Sequence, residues 1–193
     1  WDLTIEQNIL VVCKTPMARS ITRRTLVGFR DTKVHAEYYK NLIENISQNS
    51  DLVVNTLRDG KNFWGINENK HMTIDAIIGN PPYQEEGIST RKAPIYHLFY
   101  DLSFRLSDKV SLITPGRFLF RAGQTPKEWM DKILADKHFK VVDYFQKSID
   151  VFPSVDIKGG VVITYRDAKT EFEPIGFFSE YEELKSILQK VLS

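Results

Sequence analysis

The decapeptide Asp75-Ala-Ile-Ile-Gly-Asn-Pro-Pro-Tyr-Gln84 joins two kinds of sequence in one short span. Residues 74–78 form an apolar run of the length expected for a strand buried on both faces, and the run stops at Gly79. The polar residues therefore follow a strand's C-terminal end. In an open α/β sheet ligands bind outside that edge, which makes Asn80-Pro81-Pro82-Tyr83 a candidate active-site turn. Neither proline has an N–H and both fix φ, so the turn is stiff, and the carbonyls of Asn80 and Pro81 meet no donor from the prolines. Asn80 adds a neutral amide oxygen and Tyr83 an aromatic face. Rigid acceptors beside a ring suit a planar amino group attached to a second ring. Such an amine is a poor nucleophile because its lone pair is delocalised. Two acceptors that draw its hydrogens out of plane localise the pair for attack, with no metal required.

Outward from that turn, strands alternate with helices. On the N-terminal side, residues 9–13 read as a buried strand, Pro16 opens a helix through Arg24, and residues 25–29 form a second apolar run. Residues 36–46 carry Tyr39, Leu42, Ile43 and Ile46 at helical spacing. Residues 52–54 read as a third strand, followed by a polar connection over 55–73. On the C-terminal side, Pro94 starts a helix with Ile95, Leu98, Phe99, Leu102 and Leu106 on one stripe, and residues 110–114 form a strand closed by Pro115-Gly116. Thr125-Pro126-Lys127-Glu128 has the form of a capping box, opening a helix to about residue 136. Residues 140–145 and 160–165 are strands, and Ser179 to Glu182 caps a last helix bearing Leu184, Ile187, Leu188 and Val191. The expected class is α/β: a doubly wound, Rossmann-like sheet, mostly parallel with an antiparallel C-terminal strand.

The 193 residues, 42% apolar and 26% charged, have the composition of a soluble globular chain with a real core. With 26 basic and 25 acidic residues the net charge is +1, so no strong overall field draws the chain onto nucleic acid. A single cysteine, Cys13, rules out an intrachain disulfide and points to a reducing compartment. No signal peptide and no membrane-length apolar run is visible, so the expected location is cytoplasmic, with no membrane partner. A chain that opens on Trp1 and closes on Ser193 inside a helical pattern reads as a piece of a larger protein.

The 80–83 turn resembles the catalytic motif of the S-adenosylmethionine-dependent amino-methyltransferases, above all the N6-adenine DNA methyltransferases. The resemblance assigns Asn80 and the Pro81 carbonyl to the target amine and Tyr83 to the face of the base, with Pro82 stiffening the turn. A second anchor lies in Asp150-Val-Phe-Pro153, followed by Asp156-Ile-Lys-Gly-Gly160 and the strand after it. This order of elements resembles the TaqI-like gamma class, in which a Phe-Pro loop ahead of a final hairpin strand stacks on the extruded base. Phe152 is the matching position. The family that fuses methylase and restriction nuclease in one polypeptide is closer still, sharing Pro94-Ile-Tyr-His97, Ile113-Thr-Pro115 and the passage from Val151 to Gly160. The resemblance covers roughly residues 74–165 and implies base flipping in double-stranded DNA. Extrusion costs a few kcal/mol, and stacking returns about 1–3 kcal/mol per base. It also implies a domain over 1–170, with 171–193 leading toward a specificity domain, and a nuclease in the same polypeptide.

The pattern departs from the family at one place. The glycine-rich turn expected after the first strand is here Lys14-Thr-Pro-Met-Ala18, without a glycine. Either that motif lies upstream of Trp1, or the cofactor site is altered or lost. Asp31 is the candidate for the cofactor ribose, and Asn55 and Asp59 for its adenine ring. Arg91 and Lys92 sit in a basic loop suited to phosphates or to a solvated turn. Arg117 and Arg121 flank Phe118 and Phe120 in a segment that reads either as a nucleic-acid groove or as ordinary core.

Other chemistries fit less well. Asp156-Ile-Lys158 matches half of a nuclease site, but the same spacing recurs at Asp31, Glu68, Asp167 and Glu183 and is noise in a charged chain. Cys13 lies in an apolar strand rather than in a thiolate site, and His35, His71, His97 and His138 lack metal-ligand spacing. Two alternatives remain open: a protein-glutamine N-methyltransferase, which uses a similar turn with less need of a Phe152, and a non-catalytic, degenerate methyltransferase-like domain.

Overall fold

The computed structural model describes residues 1–66, 72–84, 93–181, 183–184 and 187. The chain forms two compact units, Trp1–Thr73 and Ile74–Ser193, dividing just ahead of the motif strand.

In the first unit, α1 (Asp2–Asn8) precedes β1 (Leu10–Cys13), and α2 (Pro16–Val27) carries the chain to β2 (His35–Tyr38), which runs parallel to β1. This is a βαβ unit. Thr15 caps α2 by accepting from the Ala18 N–H at 3.0 Å, with Pro16 in the first turn, and Gly28 ends the helix at φ +62°. Ile5, Cys13, Val27, Val34 and Ala36 make its core, so Cys13 is a buried hydrophobe as expected. Two further helices follow, α3 (Leu42–Gln48) and α4 (Ser50–Leu57).

Three expectations are overturned in this unit. Residues 52–54 are helical, not a strand: Asn49 caps α4 by accepting from the Leu52 N–H at 3.1 Å, and Val53, Val54 and Leu57 are its buried face. The apolar run at 25–29 is the end of α2 and its cap, and the second strand lies at His35–Tyr38 instead. That strand escaped notice because its Glu37 breaks the apolar pattern; Arg19 and Arg23 of α2 pair with the Glu37 carboxylate at 2.9 and 3.5 Å. The helix expected over 36–46 accordingly starts only at Leu42.

The second unit holds a four-stranded sheet in the order β3 (Ala76–Gly79), β4 (Lys109–Pro115), β6 (Val161–Asp167), β5 (Phe139–Phe145). β3 and β4 are parallel and are joined by α5 (Tyr96–Leu106), a second βαβ. After β4 a 3-10 turn (Gly116–Phe120) leads to α6 (Lys127–Ala135) and then β5, and β6 returns antiparallel to both β4 and β5. Three of the four strands therefore run one way, and the antiparallel member is the last in sequence, as the sequence predicts. Val110, Leu112, Val162 and Phe139 face Tyr96, Tyr100, Trp129, Met130, Ile133 and Leu134, which puts α5 and α6 on one face of this sheet. Tyr100 is at the centre of that core. Its hydroxyl lies 3.0 Å from Thr114 Oγ1 and 2.7 Å from Thr164 Oγ1, so the polar atom is satisfied across two strands.

The motif strand is not buried on both faces: β3 is an edge strand of its sheet, and Ile78 is 84% exposed. Thr125 does not cap α6. It is buried, and its hydroxyl meets the Tyr96 hydroxyl at 2.6 Å, tying the helix entry to α5. Phe118 is fully buried core, which settles one half of the Arg117–Arg121 segment, whereas Phe120 is exposed against Tyr144 and Phe178. Ile175 and Phe178 pack against the core of the second unit. Most of the helix expected after Ser179 lies outside the described residues.

Candidate active site

Strand direction gathers the motif residues of the second unit at one edge of the sheet. The register pairs Gly79 with Leu112, Pro115 with Val161 and Phe145 with Val161. Asn80, Gly116 and the whole 146–160 connection therefore emerge from the same edge. β3 and β6 are separated only by β4, and Gly79 stops three residues short of the level of Val161, which puts their ends roughly 14 Å apart at ordinary strand spacing and rise. Asn80-Pro81-Pro82-Tyr83 lies at one end of that span, and the loop bearing Phe152, which leaves β5, returns to the sheet at the other.

Asn80 is exposed at the end of β3, and no other described residue hydrogen-bonds the Pro81 carbonyl. The turn is pinned just beyond the motif, where the Ile95 N–H donates to the Tyr83 carbonyl at 3.1 Å and Gln84 bridges to Pro94. The Tyr83 ring is half-buried, and its hydroxyl is shut off from solvent without a regular hydrogen bond. Burial pushes its pKa up to about 12, and the Asn80 side chain beside it offsets part of that rise. Tyr83 is thus a neutral ring at any physiological pH and offers a stacking face rather than a base.

The 146–160 connection is built around Gly159 and Gly160, at φ +85° and +69°. A Cβ on Gly160 would lie 2.4 Å from the Phe145 carbonyl oxygen, and one on Gly116 would lie 2.8 Å from the Gly159 oxygen, so backbone meets backbone here. The Gly116 N–H donates to the Gly160 carbonyl at 3.0 Å, and Arg117 Nε donates to the Lys158 carbonyl at 2.6 Å. These bonds lock the end of β4 to the start of β6. Phe152 is half-buried on the loop they anchor.

The remaining sequence-predicted residues are scattered. Asp31 is exposed in the connection ahead of β2, so the premise that it follows the second strand does not hold. Asn55 is exposed on α4, and Asp59 accepts from the Asn62 N–H at 2.9 Å and the Asn62 amide at 2.7 Å, holding a turn. Arg121 sits in the left-handed region, with Nε 3.1 Å from Asp131 and a second bond to the Gly176 carbonyl. Arg91 and Lys92 lie outside the described residues. Among the described residues no cluster of three or more His, Cys, Asp or Glu is placed to hold a metal. Among them, too, no helix is long and apolar enough to cross a membrane.

For the cofactor, the fit is partial. A neutral, rigid acceptor pair beside a ring suits a methyl acceptor, but no glycine cradle for the methionine end follows β1, where Cys13-Lys14-Thr15 leads directly into α2. Ser148 is a buried, hydrogen-bonded residue of the 146–160 connection that sequence reading passed over. It lies in the irregular stretch before Phe152, where no periodicity marks it.

Comparison with known proteins places the chain in a family. Over 95 residues the chain is 32% identical to a protein of Mycoplasma pneumoniae described as an uncharacterized adenine-specific methylase, a match covering 47% of this chain and 22% of that protein. The chain thus spans about a fifth of that relative's length. No solved structure matches. The family model described as Eco57I restriction-modification methylase matches residues 7–152, a span that includes β1 through the motif turn and ends on Phe152. By that match the chain belongs to the Eco57I restriction-modification methylase family.

Proposed function

We propose that this chain is the catalytic part of a site-specific DNA adenine-N6 methyltransferase of a restriction-modification system, of the TaqI-like gamma class, on a doubly wound Rossmann-like sheet. The observation that carries the reading is the convergence, at one sheet edge, of the Asn80–Tyr83 turn and the Phe152 loop. Asn80 Oδ1 and the Pro81 carbonyl accept from the adenine amine. Tyr83 and Phe152 enclose the extruded ring. When bound, S-adenosylmethionine would supply an electrophilic methyl group, with its thioether as leaving group, to the amine nitrogen that Asn80 and the Pro81 carbonyl hold, and the surplus amine proton would leave to water. Double-stranded DNA is the partner, residues 171–193 lead toward a specificity domain, and a nuclease domain is a candidate for the same polypeptide by resemblance. Asp31, Asn55 and Asp59 are assigned to the cofactor, and Arg91, Lys92, Arg117 and Arg121 to DNA, by resemblance. Of these, Arg117 and Arg121 already serve the fold through Lys158 and Asp131.

The absence of a glycine turn after β1 favours a second reading, a degenerate domain without methyl transfer, and the shared motif keeps protein glutamine as a rival acceptor. Calorimetric titration with S-adenosylmethionine, followed by transfer of labelled methyl to unmethylated duplex DNA and to protein, separates the three. Cofactor binding with label in N6-methyladenine is expected. Absence of cofactor binding supports the degenerate domain, and label on glutamine the protein methyltransferase.

A further inference from the structure

We propose that Ser148 is the positioning residue of the base-stacking loop, holding Phe152 in place before any base arrives. The inference rests on the reading of Phe152 as the ring that receives the base. Phe152 is half-buried and is not among the residues of the core cluster of the second unit, and the backbone around it is tied by hydrogen bonds. That backbone converges on Ser148, which is 2% exposed. Its hydroxyl donates to the Val155 carbonyl at 2.8 Å and accepts from the Ile157 N–H at 2.8 Å. Its own carbonyl accepts from the Phe152 N–H at 2.8 Å and the Val151 N–H at 3.1 Å.

One serine therefore spans the loop on both sides of Phe152. The Val155 N–H closes back on the Phe152 carbonyl at 3.0 Å, and the Gly160 N–H on the Ile157 carbonyl at 3.0 Å. From there the Arg117–Lys158 and Gly116–Gly160 bonds carry the loop onto β4, the strand beside the motif strand. The chain of bonds thus runs from Phe152 through Ser148 to the sheet edge. A serine is the smallest side chain that can donate and accept at once, and removing its hydroxyl takes a partner from two part-buried backbone groups on the far side of Phe152. Ordering such a loop in advance removes an entropic cost from the moment of base capture.

The test uses Ser148→Ala and Ser148→Cys, the second keeping volume while weakening both hydrogen bonds, beside Phe152→Ala. The probe is a duplex with 2-aminopurine at the target adenine, the target first mapped by sequencing DNA that the enzyme has methylated. Both Ser148 variants are expected to lose most of the 2-aminopurine fluorescence rise and to increase KM for DNA about tenfold, with kcat changed far less. In the Phe152→Ala background, Ser148→Ala should add nothing further to KM. If Ser148→Ala lowers thermal stability but leaves fluorescence and KM as in the wild type, the residue is merely structural and the proposal is overturned. If Phe152→Ala itself leaves fluorescence unchanged, the stacking reading has failed and the role of Ser148 falls with it. Hydrogen exchange on the unaltered protein without DNA serves even if the variants do not fold. Slow exchange at the Phe152 and Ile157 amides is expected, and fast exchange there shows a loop that is not preassembled.

Discussion

Replacing Gly160 by alanine tests the lock between β4 and β6. Gly160 sits at φ +69°, where a side chain costs about 1–2 kcal/mol. The new Cβ would stand 2.4 Å from the Phe145 carbonyl oxygen, against 3.4 Å or more for an ordinary contact, so that carbonyl must retreat roughly 1 Å. Phe145 pairs with Val161 at the end of the β5–β6 ladder, and the Gly160 carbonyl accepts from the Gly116 N–H at 3.0 Å. Weakening one or two such bonds adds about 0.5–1.5 kcal/mol each. The sum is about 1.5–5 kcal/mol, equivalent to a fall in Tm of roughly 3–20 °C for a chain of this size. Thermal unfolding followed by circular dichroism measures it. Because the loop bearing Phe152 hangs from this junction, DNA affinity should fall at temperatures where the variant is still folded. A Tm within a degree or two of the wild type, with unchanged DNA binding, would refute the argument that this glycine is required by close approach.

Phe152→Ala should lower affinity for a duplex with an extruded base by about 5- to 150-fold, from a stacking contribution of about 1–3 kcal/mol, as measured by titration of a 2-aminopurine duplex. Tyr83→Phe should keep methyl transfer within about threefold of the wild type, since the hydroxyl removed has no regular hydrogen bond and the ring face remains; steady-state rates decide it. Tyr83 and Tyr100 both have pKa values raised by burial above the ordinary value of 10.0. The folded state holds those protons while the unfolded chain gives them up, so stability is complete below pH 10 and falls as the pH climbs toward 12. Tyrosinate absorbance should therefore rise together with unfolding rather than before it. Asp136→Ala removes the carboxylate 3.1 Å from Arg166, a half-buried guanidinium stacked 4.5 Å from the Phe104 ring. It should cost about 1–3 kcal/mol in urea unfolding while leaving methyl transfer intact.

The second unit was the more legible half because its elements advertise themselves by period. Residues 110–114 and 160–165 are apolar runs ended by Pro or begun by Gly, and each becomes a strand within a residue or two of the expected ends. In the first unit three apolar residues in a row looked like a strand at 52–54, while the deciding signal was the Asn49-Ser-Asp51 helix start ahead of them. β2 was invisible because two arginines of α2 pair with its Glu37, a relation set by tertiary structure. Within the site, the Asn80–Tyr83 turn could be found from chemistry alone, since its acceptors follow from the residues themselves. Ser148 could not: its hydroxyl partners lie seven and nine residues away in a loop with no repeating pattern. Exposure at Ile78 was also out of reach, because an apolar run reads alike for an edge strand and a central one.

The central claim is that uncharged oxygens of a stiff turn prepare an adenine amine to take a methyl group. Its most direct test is single-turnover transfer from methyl-labelled S-adenosylmethionine to unmethylated duplex DNA, wild type against Asn80→Ala, with the product nucleosides resolved. The account predicts label in N6-methyladenine with the wild type and a rate lower by about 10²–10³-fold in the variant, at nearly unchanged DNA affinity. Transfer by Asn80→Ala at the wild-type rate would contradict it.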